Sequence, residues 1–369
     1  MRSALDIAHA ALAISPPNPS VGCVITDFSG KTLGLGHTQR TGGPHAEIMA
    51  LRDAAAQGHS VVGATAYVTL EPCSHHGRTG PCCDALIAAG IKKVVASIAD
   101  PNPLVSGQGF ARLRAAGVQV EVLAPNHPQA IESRELNIGF FSRMIRKTPW
   151  VRMKIAASLD GKTALDNGAS QWITSSAARA DGHAWRARAC AVLTGIGTVL
   201  ADNPRLDVRL VDTPRQPHLV VVDSRLEMPL DAHLLIAGRA LYIYAAVPND
   251  EKKAALEEKG ATVIYLPGHQ PETQGKVDLA AMLRDLGARE INELHVEAGH
   301  KLNGSLIREG LVDEFVVYLA PKLMGQGRDM ASFGPLSELS QAIPLEFKST
   351  DMLGPDLRIV ARIPGRDQF

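Results

Sequence analysis

Two short motifs, each containing a proline, constrain how the first quarter of this chain can fold. The sequence has Pro44-His45-Ala46-Glu47 at one position and Pro81-Cys82 at the other, and a helix-like apolar pattern follows each motif. Proline is favoured at the first position of a helix, so we expect one helix to begin at Pro44 and another just after Pro81. The His45 imidazole and the Cys82 thiol then lie at helix starts, where backbone N–H groups stabilise anionic ligands.

A third metal-binding side chain, Cys73, follows Glu71 and Pro72. His45, Cys73 and Cys82 supply one imidazole and two thiolates, which suit a zinc ion that keeps a fourth position for water. Glu47 follows His45 by two residues and is expected to move protons to and from that water without binding the metal. Because residues two apart on a helix diverge, the ion must lie off the helix end. This combination is typical of a zinc-dependent deaminase.

A closed structural zinc site is the alternative interpretation. It requires a fourth protein ligand, and His75, His76 and Cys83 are near enough in sequence to supply one. A glutamate two residues after the histidine favours the catalytic site, because a structural site does not need a proton carrier. The remaining cysteines are expected to be buried as small apolar side chains: Cys23, Cys83 and Cys190.

Length and charge set further limits. The 369 residues suggest two domains, each with its own core. Lys plus Arg equals Asp plus Glu at 38 each, so no overall charge attracts nucleic acid or an anionic membrane, and a small-molecule ligand is expected. The five cysteines do not resemble a disulfide framework, and no signal peptide or membrane helix is recognisable, so we expect a cytoplasmic protein. Whether it assembles as a homo-oligomer stays open.

Helix-like and strand-like patterns alternate through the first part of the chain, which indicates an α/β sheet flanked by helices. We expect strands at residues 21–25, 61–70, 93–98 and 118–123, and helices at 4–14, 46–56, 82–89, 110–116 and 130–144. A polar segment around Lys147 follows. We place the domain boundary there, between residues 1–147 and 148–369.

The second part is a further α/β domain. Its expected strands are residues 150–158, 191–193, 219–222, 241–245, 262–265, 293–297 and 314–320, and its expected helices are 177–189, 252–258, 279–286 and 304–309. It has no Gly-x-Gly-x-x-Gly motif after a first strand, so a standard dinucleotide-binding fold gains no support.

Longer motifs in both halves carry a resemblance to a known family. In the first half they are Pro17-Asn18-Pro19-Ser20-Val21-Gly22, Pro44-His45-Ala46-Glu47, the run from Val68 to Cys82, and Asp100-Pro101-Asn102-Pro103. In the second half they are Ala157-Ser158-Leu159-Asp160-Gly161-Lys162, Ser170-Gln171-Trp172-Ile173-Thr174, Val199-Leu200-Ala201-Asp202-Asn203-Pro204 and Val296-Glu297-Ala298-Gly299. Together they closely resemble the bifunctional deaminase/reductase family of riboflavin biosynthesis. The eight residues between Cys73 and Cys82 also resemble this branch, because nucleoside and base deaminases typically have two.

The resemblance implies two consecutive reactions on one phosphoribosyl pyrimidine. A cytidine-deaminase-like α/β/α domain would use Zn2+ to deaminate 2,5-diamino-6-(5-phosphoribosylamino)pyrimidin-4-one. A dihydrofolate-reductase-like α/β domain would then use NADPH to reduce the ribosyl group of 5-amino-6-(5-phosphoribosylamino)uracil to ribityl. Such a reductase fold lacks the glycine-rich dinucleotide motif, in agreement with the sequence.

The resemblance also assigns site residues. Besides the catalytic Glu47, the deaminase substrate contacts would be Asn18, His37, His75, Arg78, Asp100 and Asn102. The family commonly has lysine where this chain has Arg78. The reductase substrate contacts would be Ser170, Arg186, Leu206, Arg209 and Glu297. The NADPH contacts would be Ala156, Trp172, Thr198, Asp202, Ser224 and the loop formed by Gly299, His300, Lys301, Leu302, Asn303, Gly304 and Ser305, whose two glycines would let the backbone approach the pyrophosphate.

Simpler interpretations exist for several of these residues. Asn18 and Asn102 each lie between prolines and suit turns, as does Asp202 before Asn203-Pro204. Arg186 and Arg209 suit phosphate binding, but either alone is also typical of a solvated surface.

For the whole chain, two other functions compete. One is a deaminase of another base or of tRNA with a second domain that is not a reductase, and the other is a non-catalytic protein stabilised by zinc. The neutral charge and the second-half motifs favour the riboflavin enzyme.

Overall fold

A computed structural model describes residues 1–74, 80–102, 105–235 and 238–369. Its contacts divide the chain into two compact units, which we call the first unit (residues 1–147 with Phe369) and the second unit (residues 148–368). No described helix is long and apolar enough to cross a membrane.

The first unit is a five-stranded sheet with helices packed against it. Its strands are β1 (Gly22–Thr26), β2 (Thr32–His37), β3 (Thr65–Val68), β4 (Lys93–Ala96) and β5 (Gln119–Val122). Its helices are α1 (Arg2–Ala8), α2 (Ala46–Ala56), α3 (Cys82–Ala88), α4 (Gln108–Ala115), α5 (Pro128–Leu136) and α6 (Ile138–Arg146), and a short 3₁₀ turn spans His9–Ala11. The strand order is β2-β1-β3-β4-β5. Strand β1 is antiparallel to both neighbours, whereas β3, β4 and β5 are parallel.

Strand β2 was absent from the prediction because its two glycines do not look like a strand. The structure gives their reason. A Cβ atom at Gly34 would lie 2.3 Å from the Ala50 carbonyl oxygen, and one at Gly36 would lie 2.5 Å from the Ala50 nitrogen. Helix α2 therefore packs directly on the backbone of β2, and this close packing sets the position of the helix start that carries His45 and Glu47.

One of the two expected helix starts needs a correction of two residues, and the other is confirmed. Helix α2 begins at Ala46, with His45 as its N-cap in an extended conformation (φ −77°, ψ 170°), so Pro44 is not the first helical residue. Helix α3 begins at Cys82 with Pro81 as its N-cap. An extended N-cap directs the His45 side chain away from the helix barrel, and this satisfies the requirement that the ion lie off the helix end.

One long helix expected at residues 130–144 is two helices, α5 and α6, which meet at Asn137. The Asn137 side chain pairs with the backbone of Ser20: its Oδ1 accepts from Ser20 N at 2.7 Å, and its Nδ2 donates to Ser20 O at 3.0 Å. This contact ends the helix and holds the segment that follows Asn18. The expected burial of the remaining cysteines is confirmed, since Cys23, Cys83 and Cys190 are buried.

The second unit is built on a nine-stranded sheet. Its strands are β6 (Trp150–Ser158), β8 (Ala191–Gly195), β9 (His218–Val222), β10 (Leu241–Ala245), β11 (Ala261–Tyr265), β12 (Glu293–Val296), β13 (Glu314–Ala320), β15 (Glu346–Leu353) and β16 (Asp356–Arg362), and a separate pair joins β7 (Lys162–Leu165) to β14 (Gly327–Asp329). Its helices are α7 (Ser176–Arg188), α8 (Ile196–Asp202), α9 (Asp250–Glu258), α10 (Leu279–Ala288) and α11 (His300–Arg308), with 3₁₀ turns at Pro271–Thr273 and Leu339–Gln341. The strand order in the nine-stranded sheet is β11-β10-β9-β8-β12-β6-β13-β16-β15. The first seven strands in this order are parallel, and β16 and β15 are antiparallel additions at one edge.

Buried charges lie where the central parallel strands begin. Arg152 in β6 is 1% exposed, and it donates to Glu293 of β12 at 2.6 Å and to Glu314 of β13 at 2.5 Å. Arg362 donates to the other oxygen of Glu314 at 2.9 Å. Burial alone would raise the pKa of Glu293, but Arg188 and Arg152 outweigh it and lower the pKa to about 2. These ion pairs join β6, β12, β13 and β16 near the amino ends of the parallel strands. Ligand sites usually form at the opposite, carboxyl ends of such strands.

We predict that Glu314→Gln destabilises the second unit by about 3–5 kcal/mol, because it removes the carboxylate that the buried guanidinium groups of Arg152 and Arg362 share. Urea unfolding, followed by a signal from the second unit, measures the decrease in its free energy of unfolding. Asp329→Asn is the matched control, since it removes an exposed partner of Lys162 and is expected to change stability far less. Equal unfolding midpoints for Glu314→Gln and the parent would contradict the importance of the network.

Candidate active sites

Three metal-binding side chains of the first unit converge. His45 precedes α2, Cys73 lies five residues beyond the end of β3, and Cys82 is the first residue of α3. One ligand atom from each lies within 4.8 Å of the other two. His45 Nδ1 is 3.6 Å from Cys73 Sγ and 3.4 Å from Cys82 Sγ.

These distances fit a tetrahedral zinc ion. With Zn–S bonds of about 2.3 Å and a Zn–N bond of about 2.0 Å, tetrahedral angles place nitrogen and sulfur about 3.5 Å apart. The Cys82 backbone N–H also points at Cys73 Sγ at 3.4 Å, so the start of α3 stabilises the thiolate. Hydrogen bonding from Cys82, together with that from His45, lowers the pKa of Cys73 to about 4.

The fourth ligand of a closed structural site is not found among the described residues. The Cys83 thiol donates to the Pro72 carbonyl at 3.1 Å and stands apart from the three-residue group. His75 and His76 lie outside the described residues, as does Arg78. The described part of the site therefore supplies three protein ligands, the number that leaves a zinc position for water.

Glu47 lies in the first turn of α2, beside the ligands, and is only 3% exposed. Burial raises the pKa of its carboxyl group to about 7, and the neighbouring Cys73 thiolate acts in the same direction. A carboxyl group with a pKa near neutrality can accept a proton and return it within one reaction cycle.

The expected substrate residues of the first unit have varied surroundings. His37 ends β2 and is half-buried. Asn18 lies in a turn, and its backbone N–H donates to the Ser15 carbonyl at 2.9 Å. Asp100 is buried, which raises the pKa of its carboxyl group to about 7, and its Oδ1 accepts from Asn102 N at 2.7 Å. The turn chemistry considered for these segments is therefore present, and it does not exclude substrate contacts by the same side chains.

In the second unit, three of the expected substrate residues form one cluster with Asp207. Arg186 on α7 donates to both oxygens of Glu297, which follows β12, and donates through Nη1 to the Asp207 carbonyl at 2.9 Å. The Asp207 side chain in turn accepts from Arg209 Nη1 at 2.6 Å. Burial would raise the pKa of Glu297, but Arg186 outweighs it and holds the pKa well below its usual range. Leu206 is buried at a positive φ of 48°, and Ser170 is half-buried in the segment before α7.

The expected cofactor loop at residues 299–305 is wrong in its secondary structure. Gly299 is the N-cap of α11, and the helix begins at His300. A Cβ atom at Gly304 would lie 1.9 Å from the Ser332 carbonyl oxygen, so this glycine permits the close packing of α11 on the Ser332 backbone. Asn303 is also buried, and its Nδ2 donates to the Met330 carbonyl at 3.1 Å.

The other expected cofactor residues lie mostly near strand ends. A Cβ atom on Gly299 would be 3.8 Å from Thr198 Oγ1, so the starts of α11 and α8, which follow adjacent parallel strands, are neighbours. Ser224 follows β9, and its carbonyl accepts from Ala246 N and Val247 N. The remaining three differ in exposure: Trp172 is 62% exposed, Asp202 is exposed at the end of α8, and Ala156 is half-buried in β6. Helix starts beside strand ends suit a phosphate-bearing ligand.

Comparison with known proteins agrees in both units. Residues 1–98 match the cytidine and deoxycytidylate deaminase zinc-binding region, and residues 149–359 match the RibD C-terminal domain. The riboflavin biosynthesis protein RibD of Escherichia coli is 42% identical over 366 residues, covering 97% of this chain and 96% of that protein. The chain belongs to the RibD family.

Solved RibD structures share the whole fold. Acinetobacter baumannii RibD superposes with a TM-score of 0.86 at 38% identity, covering 98% of this chain and 97% of the other. A Thermotoga maritima protein described as a diaminohydroxyphosphoribosylaminopyrimidine deaminase and 5-amino-6-(5-phosphoribosylamino)uracil reductase gives 0.83 at 31% identity, with the same two coverages.

RibD membership confirms the family, the deaminase-like and reductase-like α/β fold, and the zinc and NADPH cofactors that the sequence predicted. The chain is a bifunctional deaminase and reductase of riboflavin biosynthesis. A tRNA deaminase with an unrelated second domain is not favoured.

Sequence reasoning missed two residues of this RibD chain that adjoin Glu297. Lys154 of β6 has its Nζ 4.0 Å from Glu297 Oε2, and burial lowers the pKa of its ammonium group. His295 is fully buried in β12, with Nε2 3.5 Å from Glu297 Oε1. The sequence did offer a signal for Lys154, because it lies inside the otherwise apolar stretch of residues 153–157 and buried lysines are rare without a partner.

We predict that Cys82→Ser reduces bound zinc from about one ion per chain toward none and destabilises the first unit, because a hydroxyl replaces a required thiolate. Metal analysis of the purified chain gives the answer. Cys83→Ser is the matched control, one residue away, and should keep its zinc. Loss of zinc from Cys83→Ser but not from Cys82→Ser would show that the ligand is Cys83.

Proposed function

We propose that the first unit deaminates 2,5-diamino-6-(5-phosphoribosylamino)pyrimidin-4-one and that the second unit then reduces the ribosyl group of the aminouracil product. The observation that carries the first half is a buried carboxyl group, Glu47, beside two thiols and an imidazole at zinc-ligand distances. The T. maritima relative is described by the same pair of activities.

In the deaminase, His45, Cys73 and Cys82 would hold the zinc, with Glu47 beside its open position. Bound zinc supplies positive charge and a water molecule of lowered pKa. Glu47 would take one proton from that water and deliver it to a ring nitrogen while the oxygen bonds to the ring carbon, and it would then move the remaining hydroxyl proton to the departing amino group. The water oxygen remains on the ring carbon and ammonia leaves. The burial of Glu47 supports this role, because it keeps the carboxyl group beside the zinc ligands and away from bulk water.

In the reductase, the cluster around Glu297 would bind the phosphoribosyl group. Lys154 and Glu297 together offer a donor and an acceptor to sugar hydroxyls. Arg186 is 13% exposed and engaged by Glu297 and the Asp207 carbonyl, whereas Arg209 pairs with Asp207 through one nitrogen and its side chain is 50% exposed. The phosphate contact therefore falls to Arg209. Bound NADPH supplies the hydride. The starts of α8 and α11 would hold its phosphates.

We infer a small-molecule substrate and a cytoplasmic location for this chain. Equal numbers of acidic and basic residues, 38 each, support the first inference, because no general attraction to nucleic acid results.

We predict that Glu47→Gln keeps its zinc but lowers deaminase turnover by at least about a hundredfold, because an amide cannot carry the protons. Ammonia release from the diaminopyrimidine measures deamination. NADPH oxidation with the deaminated substrate should be unchanged and serves as the control for folding. Deaminase turnover near that of the parent would remove Glu47 from its assigned role.

We predict that Arg209→Ala raises the reductase KM for the deaminated substrate about tenfold and leaves NADPH affinity unchanged, because a charge-assisted phosphate contact is lost. Steady-state NADPH oxidation and direct NADPH titration separate the two effects. Arg205→Ala is the matched control, since Arg205 also pairs with Asp207 but is more exposed. An equal rise in KM for both variants would contradict a specific role for Arg209.

A further inference from the structure

Glu71 is a buried carboxylate of the first unit that neither the metal group nor the assigned substrate contacts include. It is 3% exposed and lies two residues before the proposed ligand Cys73. Buried carboxylates are costly unless their oxygens are hydrogen-bonded, so its partners indicate its purpose.

Four backbone N–H groups donate to its carboxylate oxygens. Glu71 Oε2 accepts from Asp100 N at 3.2 Å and from Gly107 N at 2.9 Å. Its Oε1 accepts from Gly109 N at 2.9 Å and from Phe110 N at 3.3 Å. The first pair belongs to the chain that follows β4, and the second pair belongs to the first turn of α4. One side chain thus holds two backbone segments against the strand end that leads to Cys73.

A second contact shows how tightly these segments fit. A Cβ atom at Gly109 would lie 2.1 Å from the Pro72 carbonyl oxygen and 3.1 Å from Glu71 Oε1. The Cys83 thiol donates to the same Pro72 carbonyl at 3.1 Å and lies 3.5 Å from the Gly109 carbonyl. The start of α4 therefore packs directly on the Glu71-Pro72 backbone, and only glycine at position 109 permits this.

One of the segments that Glu71 holds carries proposed substrate contacts. Asp100 receives Asn102 N on its own Oδ1, so fixing the Asp100 backbone also fixes the turn that presents Asn102. Along the chain, Glu71 is joined through Pro72 to the proposed metal ligand Cys73. The carboxylate therefore connects the zinc side of the deaminase site to its substrate side through hydrogen bonds to a charged acceptor, which are stronger than those to a neutral one.

We propose that Glu71 is a positioning residue of the deaminase, which sets the distance between the zinc ligand Cys73 and the substrate-binding turn at Asp100–Asn102. This inference rests on the proposed deaminase function. Glu71 itself touches neither metal nor substrate. Its effect is on substrate binding, because the three zinc ligands have contacts of their own, including that of Cys82 N to Cys73 Sγ.

The test is Glu71→Gln in the full chain. The amide keeps the shape but turns an NH2 group toward two of the four N–H donors, which cannot bond to it. We expect the deaminase KM to rise about tenfold, kcat to fall by less than about threefold, and zinc to stay near one ion per chain. A purely structural role would instead reduce zinc content and kcat together. Glu121→Gln is the control, because Glu121 is an exposed glutamate in the same unit whose carboxylate pairs with Lys93 at the surface.

Gly109→Ala perturbs the same junction from the other side, since the added methyl group displaces α4 from Pro72. It should also raise KM with zinc retained, and the double variant should show less than the product of the two effects, because both loosen one contact. An unchanged KM in Glu71→Gln, or a loss of its zinc, would overturn the proposal. Deamination by the unaltered chain separates the claims: its absence contradicts the proposed function, whereas an active parent with an unaffected variant contradicts only the role of Glu71.

Discussion

The approach of helix α2 to the bare backbone of strand β2 is the constraint on which the deaminase site depends. Gly34 and Gly36 leave no side chain between strand and helix, so the start of α2 is placed by backbone contact. His45 then reaches off the helix end while Glu47, in the first turn, is buried beside it. A larger residue at either glycine would move both groups together, away from Cys73 and Cys82.

The second unit separates stability from binding along the same strands. Strands β6 and β12 begin in the ion pairs of Arg152 with Glu293 and Glu314, which are satisfied within the protein. The same strands lead to Lys154 and Glu297, where charged groups remain partly accessible and can meet a polar substrate. In parallel sheets, ligands are usually bound beyond the carboxyl ends, and the distribution of charges here follows that rule.

Local patterns predicted what depends on local residues. The grouping of the candidate metal ligands, the central strands and most helices were recognisable, because spacing and apolar periodicity report them directly. Strand β2 and the packing role of Gly304 were not, because each is decided by a distant partner: Ala50 for β2 and Ser332 for Gly304. Lys154 was missed for a similar reason, since its partner Glu297 lies far away in sequence.

X-ray absorption at the zinc edge of the full chain tests most directly whether the zinc site keeps one position open for water. We expect two sulfur neighbours at about 2.3 Å, and one imidazole nitrogen with one further light atom at about 2.0–2.1 Å. A third sulfur neighbour, or outer-shell scattering from a second imidazole, would mean a closed site made by Cys83 or by a second histidine. Either result would contradict catalysis at this centre.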